Sequence, residues 1–339
     1  MIAVVKDTAT PEQLEHFVSW IHGKGLDAHV SKGHNATIVG LVGDTTQIDP
    51  YLIEGMDIIE RVQRVSEPFK KANRKFHPLD TVVDCGHGVK IGGGTFHVIA
   101  GPCSVEGENL ISIARQVKAA GATLLRGGAY KPRTSPYAYQ GMGEKGLDLL
   151  CEARDELDMP IVTEIMDPRD VDAFVSHDIE VWQIGARNAQ NFPLLKEVGK
   201  TKAAILLKRG ISGTIDELLM AAEYIMSEGN PNVIVCERGI RTFETHTRNT
   251  FDLSAVPVLH DLSHLPVCAD PSHATGHTRY VTPMALAATA AGADCLEIEV
   301  HDDPKHAWSD GAQALTPAQF KDAMTRIATV REAVKMEVE

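Results

Sequence analysis

Several features are missing from this sequence, and each absence closes off a class of protein. No apolar run approaches the length of a membrane span. The opening MIAVVKDTATPEQLEHF has no basic flank followed by an apolar core, so no secretory signal is expected there. The six cysteines (Cys85, Cys103, Cys151, Cys236, Cys268 and Cys295) form no CxxC pair and no disulfide-scaffold spacing. Four of them, Cys103, Cys236, Cys268 and Cys295, sit in or at the end of apolar runs, a usage that fits a reducing cytoplasm. Basic residues are in the minority, 33 Lys and Arg against 46 Asp and Glu, for a formal net charge of −13. A chain so acidic is a poor general binder of nucleic acid or anionic membrane. It has no GxxxxGK[ST] nucleotide loop, no low-complexity segment and no strong internal repeat.

What remains is an ordinary globular composition, 43% hydrophobic and 23% charged over 339 residues, enough for one large domain and a small one. If such an acidic chain binds anions, it must gather its Lys and Arg locally. Their placement therefore carries the functional information.

Residues 1–66 read as a small unit. IAVV (2–5) predicts a strand, Thr10-Pro11 opens a helix through about Gly23, DAHVS and NATIVGLVG predict two strands, residues 50–57 a helix, and IERVQRV a closing strand. The order β-α-β-β-α-β is that of a ferredoxin-like unit. Residues 67–80, with four Lys or Arg and two Pro, read as a linker. From 81 to 339, DTVVDCG and VKIGGGTFHV predict a short hairpin. Apolar runs then alternate with helical segments eight times, with strands predicted at 97–103, 123–128, 161–166, 180–186, 203–209, 232–238, 266–271 and 295–301. Eight βα units predict an α/β fold of the (β/α)8 TIM-barrel type. A doubly wound sheet is the alternative, but Gly101-Pro102-Cys103 is not the Gly-rich turn that such a sheet carries after its first strand.

In a barrel the site lies where the strands end. Here those ends bring Arg126, Glu164, Arg187, Lys208, Arg238, Asp270, His273 and the run Glu297-Ile298-Glu299-Val300-His301. A charge at one strand end is usually just solvated; a charge at seven successive ends converges on one spot. Along the last strand Leu296, Ile298 and Val300 share one face, and Glu297, Glu299 and His301 the other. Two carboxylates facing a barrel interior need a cation or a metal beside them. The basic set Arg126, Lys131, Arg133, Arg187, Lys208 and Arg238 exceeds what one carboxylate uses and suits two polyanionic ligands. Singly, Cys103 reads as a buried small hydrophobe and His273 as a satisfied loop histidine. With Glu299 and Asp310 they could also furnish a mixed S/N/O divalent site.

The runs IAGPCSVE (99–106), LRGGAYKPRTSP (125–136), QIGARNAQN (183–191), LLKRG (206–210), CERGIRTFE (236–244), DPSHATG (270–276), EIEVH (297–301) and SDG (309–311) resemble 3-deoxy-D-arabino-heptulosonate 7-phosphate (DAHP) synthases. The likeness is to the type I beta form with an N-terminal ferredoxin-like regulatory domain, and it covers essentially the whole chain. It implies condensation of phosphoenolpyruvate with erythrose 4-phosphate and water, the entry step of the shikimate pathway. It implies one divalent metal on Cys103, His273, Glu299 and Asp310, with Mn, Fe, Co, Zn and Cd all left open. Phosphoenolpyruvate would be held by Arg126, Lys131, Arg187, Lys208 and Arg238, and the sugar phosphate by Arg133, Thr134 and Ser135. Lys131, Glu164 and His273 are the expected catalytic residues, Lys131 as proton donor and Glu164 placing the water. The resemblance also implies a cytoplasmic homotetramer and an aromatic amino acid effector, Tyr or Phe, on the N-terminal domain.

Two rivals stand beside this reading. The related 3-deoxy-D-manno-octulosonate 8-phosphate synthases take arabinose 5-phosphate and typically carry Lys-Ala-Asn-Arg-Ser-Ser where this chain has Lys131-Pro132-Arg133-Thr134-Ser135. A non-catalytic effector-binding protein would have no use for the charged strand ends.

Overall fold

The structure is a computed structural model, and it describes residues 1–32, 37–64, 68–132 and 135–335. The chain divides into two compact units, Met1–Pro68 and Phe69–Glu339.

In the first unit, strands β1 (Ile2–Val5), β2 (Asp27–Lys32), β3 (Thr37–Val42) and β4 (Ile59–Gln63) form an antiparallel sheet in the order β2-β3-β1-β4. Helix Pro11–Gly23 starts with a capping box: the Thr10 hydroxyl accepts from the Gln13 amide and the Gln13 side chain accepts from the Thr10 amide. Its buried Phe17 and Ile21 pack in one cluster with Ala3, Val5, Val39 and Leu41 of the sheet. The second helix is shorter than predicted, Pro50–Glu54, because Gly55 caps it and the Met56 amide turns back to the Ile53 carbonyl.

The stretch predicted as a linker is not a free tether from residue 69 onward. Phe69 is 1% exposed and Ala72 fully buried in the main core. The amides of Lys71 and Ala72 donate to the Glu223 carboxylate, and Arg74 donates to the His260 carbonyl and to Asp80. Its basic residues signalled solvent, but the two apolar side chains decide where the backbone goes. Residue 67 lies outside the described residues.

A hairpin of β5 (Val83–Asp84) and β6 (Lys90–Ile91) precedes eight parallel strands: β7 (His97–Gly101), β8 (Leu124–Arg126), β9 (Ile161–Glu164), β10 (Val181–Ile184), β11 (Ala204–Lys208), β12 (Val233–Glu237), β13 (Val267–Ala269) and β14 (Cys295–Glu299). These eight close into a barrel, β14 pairing with β7. Both faces of each strand are buried, which explains apolar runs such as AILLK and VIVCE. Outward residues such as Val98, Leu125, Leu207, Val235 and Ile298 pack against the helices. Inward apolar residues of the strands (Ile99, Leu124, Val162, Leu206, Ile234, Cys236, Cys268 and Cys295) cluster with Val83, Cys85 and Ile91 of the hairpin, which plugs that end. The layer above this apolar floor is charged, and it faces the opposite mouth.

Candidate metal centre and anion cleft

The alternation of β14 sets the layer up. Leu296 and Ile298 go to the helix-facing core, so Glu297 and Glu299 point inward, both fully buried. Bare carboxylates there would be strongly penalised. Instead, six groups form a closed ring in which each of three carboxylates lies between two nitrogen-bearing side chains. Arg126 Nη1 lies 2.9 Å from Glu299 Oε1 and 3.2 Å from Glu297 Oε1. Lys208 Nζ lies 2.9 Å from Glu297 Oε2 and 2.7 Å from Asp270 Oδ2. His273 Nδ1 lies 2.7 Å from that same Asp270 oxygen, and its Nε2 lies 3.2 Å from Glu299 Oε1, which closes the ring. The contacts to Glu297 are ion pairs without hydrogen-bond geometry, since neither of its oxygens has a hydrogen-bond partner.

The electrostatics follow from this ring. Burial works against the charged forms of Arg126, Lys208, Asp270 and Glu299. For Lys208 this is outweighed by Asp270 and Glu297, and for Arg126 by Glu299 and Glu297, so both cations stay protonated more firmly than usual. Burial also acts to raise Asp270, but His273 and Lys208 hold it well below the usual carboxylate range. Glu299 is likewise held low by His273 and Arg126 against its own burial.

Local sequence places the histidine. β13 ends at Ala269, and Asp270 then caps the short helix Pro271–Thr275, its Oδ1 accepting the His273 amide at 2.9 Å. The side chain of His273 is thereby carried over the mouth. Cys103 follows β7, and Asp310 lies on the loop after β14 in a left-handed conformation, φ 51°. One ligand atom each from Cys103, His273, Glu299 and Asp310 lie within 4.8 Å of one another.

The donor set fits a divalent metal. Nδ1 of His273 is committed to Asp270, which fixes the tautomer and leaves Nε2 for an ion, the usual carboxylate–histidine–metal arrangement. Cys103 Sγ is 3.3 Å from Asp310 Oδ2 and 3.0 Å from Lys131 Nζ. Burial, with Glu299 nearby, pushes the Cys103 thiol up to about 12, so a thiolate there needs a cation beside it. Burial also acts to raise Asp310, but the Arg248 guanidinium, 3.3 Å from Oδ1, holds it down.

Beside this cluster is a cleft lined by Lys131, Pro132, Glu164, Gln183, Gly185, Ala186, Arg187, Lys208, Arg238, Arg248, His273 and Asp310. Among the described residues no carboxylate lies at ion-pair distance from Lys131, Arg187 or Arg238. Among these residues Arg238 donates to the carbonyls of Gly239 and His273, and Lys131 to Cys103. Glu164 Oε1 is buried without a hydrogen-bond partner, while its Oε2 accepts from Gln183. Gly185 makes room for that carboxylate, since a Cβ there would sit 2.0 Å from Oε1.

The structure thus brings together Cys103, Lys131, Glu164, Arg187, Lys208, Arg238, His273, Glu299 and Asp310. Arg126 lies just beneath the cleft, 4% exposed, with Nε lacking a partner. Arg133 and Thr134 lie outside the described residues. Ser135 is exposed on the loop after β8, its hydroxyl accepting from the Tyr137 amide, and it does not line the cleft. Arg248 is the residue that sequence reasoning missed. It comes from the middle of the long loop after β12, and no strand end or spacing marks it.

Against known proteins, residues 69–336 match the DAHP synthetase I family and residues 1–67 match the DAHP synthase ferredoxin-like domain. A phospho-2-dehydro-3-deoxyheptonate aldolase from Thermotoga maritima is 47% identical over 339 residues, covering all of both chains. A crystal structure of DAHP synthase from the same organism superimposes with a TM-score of 0.94 at 46% identity, covering 100% of this chain and 99% of that one. A 2-dehydro-3-deoxyphosphooctonate aldolase from Koribacter versatilis is more distant, 30% identical over 73% of this chain and 95% of its own length. With the charged barrel mouth and the ferredoxin-like sheet both accounted for, the chain belongs to the DAHP synthetase I family of enzymes.

Proposed function

We propose that the cleft is where phosphoenolpyruvate and erythrose 4-phosphate are joined to give 3-deoxy-D-arabino-heptulosonate 7-phosphate and inorganic phosphate. The observation that carries this reading is the pairing of two features. Three cations without carboxylate partners among the described residues face a four-donor cluster, in a chain whose net charge is −13.

Arg187 and Arg238 hold the phosphate of phosphoenolpyruvate, as guanidinium forks suit that group. Lys208 and the free Nε of Arg126 take its carboxylate from below. Arg133, Thr134 and Ser135 receive the phosphate of the sugar. Cys103, His273, Glu299 and Asp310 hold one divalent ion, which when bound supplies a Lewis acid for the aldehyde oxygen. The methylene carbon of phosphoenolpyruvate attacks the aldehyde carbon, and Lys131 delivers a proton to the oxygen that becomes a hydroxyl. Positive character develops at the enol carbon, and Glu164 orients the water that adds there through its unpartnered Oε1. The hemiketal phosphate then expels phosphate by C–O cleavage. Bringing the two reacting carbons together in one cleft makes the encounter local, an advantage worth several orders of magnitude in effective concentration.

The test is release of inorganic phosphate from phosphoenolpyruvate on adding erythrose 4-phosphate or arabinose 5-phosphate. Release with the four-carbon acceptor and little with the five-carbon one supports the assignment; the reverse preference would make the protein an octulosonate phosphate synthase, and no release with either would sink the reading.

The N-terminal unit we assign to effector binding, with an aromatic amino acid, Tyr or Phe, as the ligand. Its match to the DAHP synthase ferredoxin-like domain supports this. If a chain without residues 1–66 were inhibited by every aromatic amino acid as strongly as the full chain, the assignment would fail. A cytoplasmic homotetramer is the assembly we propose, in keeping with six free cysteines and with the lack, among the described residues, of any helix long and apolar enough to cross a membrane. A sedimentation mass other than four chains would refute the tetramer.

A further inference from the structure

Glu299 and Asp310, two carboxylates with ligand atoms within 4.8 Å of each other, repel before any ion arrives, so something must hold them in place. Asp310 needs this most. Its left-handed backbone is unusual for a non-glycine residue, and the next residue, Gly311, packs so closely that a Cβ would sit 2.0 Å from the Pro304 carbonyl oxygen. The restraint comes from outside the donor set. Arg248 Nη1 donates to Asp310 Oδ1 at 3.3 Å and to Gln313 Oε1 at 3.0 Å. Gln313, 2% exposed, donates from Nε2 to Glu299 Oε2 at 2.7 Å.

In both carboxylates the brace takes the outer oxygen and spares the inner one. Asp310 Oδ2 faces Cys103 Sγ, and Glu299 Oε1 faces His273 Nε2. Arg248 is itself anchored. Its amide donates to the Thr275 carbonyl, the Asn249 amide to Ala274, and the Asn249 side chain to the His273 carbonyl. The glycine at 276 lets it pass, since a Cβ there would meet Arg248 Cβ at 2.5 Å.

We propose that Arg248 and Gln313 are positioning residues that preset Asp310 and Glu299 for the ion, and thereby set how tightly this enzyme binds its metal. The inference rests on the reading of the four-donor cluster as the metal centre. It assigns the loop after β12 a task besides carrying Arg238 at its start.

The experiment uses the full-length, metal-stripped enzyme with Cd(II) as the probe ion, measured by competition against a colorimetric chelator with no substrate present. Arg248→Met and Gln313→Leu should each weaken Cd(II) binding by ~10- to 100-fold. The double variant should lose less than the product of the two losses, because the residues act as one chain. Arg248→Lys, which keeps the charge but loses the fork, should fall between wild type and Arg248→Met, and it serves if the Met variant does not fold. At saturating ion, kcat should recover to within a few-fold of wild type with the phosphoenolpyruvate KM unchanged. Cd(II) affinity within twofold of wild type would overturn the proposal. So would a raised KM at saturating ion with unchanged Cd(II) affinity, which would make Arg248 a substrate ligand. Because the binding assay needs no substrate, its outcome is independent of whether erythrose 4-phosphate is the acceptor. A centre that binds no ion at all would instead sink the metal reading.

Discussion

Asp270 holds His273 at two points: Oδ1 accepts the backbone amide at 2.9 Å, and Oδ2 lies 2.7 Å from Nδ1. One carboxylate therefore fixes both where the imidazole sits and which nitrogen is left for an ion, and its Oδ2 also pairs with Lys208. Asp270→Asn keeps the shape and removes the charge. The expected outcome is a ~10- to 100-fold loss of divalent-ion affinity, read by chelator competition on protein that still melts cooperatively. Unchanged affinity would mean that Asp270 serves only Lys208.

Gly185 and Glu164 offer a test of the water-positioning role. Ala is allowed by the backbone at 185, φ −66°, so Gly185→Ala acts only by displacing the Glu164 carboxylate. In the wild-type background it should lower kcat by at least ~10-fold, a fraction of what a positioned acid–base group contributes. In a Glu164→Gln background the same change should cost little, since the displaced group is already disabled. Additive losses would place the two residues in separate roles.

Lys131→Met removes the proposed proton donor and leaves Arg187 and Arg238 in place. Phosphate-release kinetics should show kcat down by ~10²- to 10⁴-fold with the phosphoenolpyruvate KM within a few-fold of wild type. Full turnover would exclude Lys131 as the donor.

At the plugged end of the barrel, His87 sits between two carboxylates, with Nδ1 2.5 Å from Asp158 Oδ1 and Nε2 3.1 Å from Glu180 Oε1. Asp158, with a smaller contribution from Glu180, raises the imidazole above its ordinary value despite its partial burial. A raised folded-state value means that the stabilisation is fully present below the unfolded value of about 6.5 and is lost as pH climbs through the folded one. His87→Asn tolerates the left-handed backbone at this site, φ 50°. The melting-temperature difference between wild type and this variant should be largest in mild acid and shrink above neutrality. A difference that grew with pH would contradict the clamp.

Much of this was legible in the sequence because it is periodic. The alternation in β14 announced two inward carboxylates, and the repeated charge at strand ends announced a converging site. The partners were not legible. Arg126 meets Glu299 across 173 positions and Lys208 meets Asp270 across 62, separations that only barrel closure brings together. Composition misled at residues 69–80, where Phe69 and Ala72 outweighed the basic residues around them. Arg248 left no local signal at all, since its role depends on a loop folding back over the His273 helix.

One ion per chain in the Cys103–His273–Glu299–Asp310 centre is the claim on which the rest depends. Its most direct test is phosphate release by chelator-stripped enzyme as a divalent ion is added back in known amounts, with phosphoenolpyruvate and erythrose 4-phosphate both saturating. The expected result is no turnover in the stripped protein, recovery that levels off at one equivalent per chain, and no recovery in a folded Cys103→Ala variant under the same titration. Undiminished turnover by the stripped enzyme, or full recovery by Cys103→Ala at one equivalent, would contradict it.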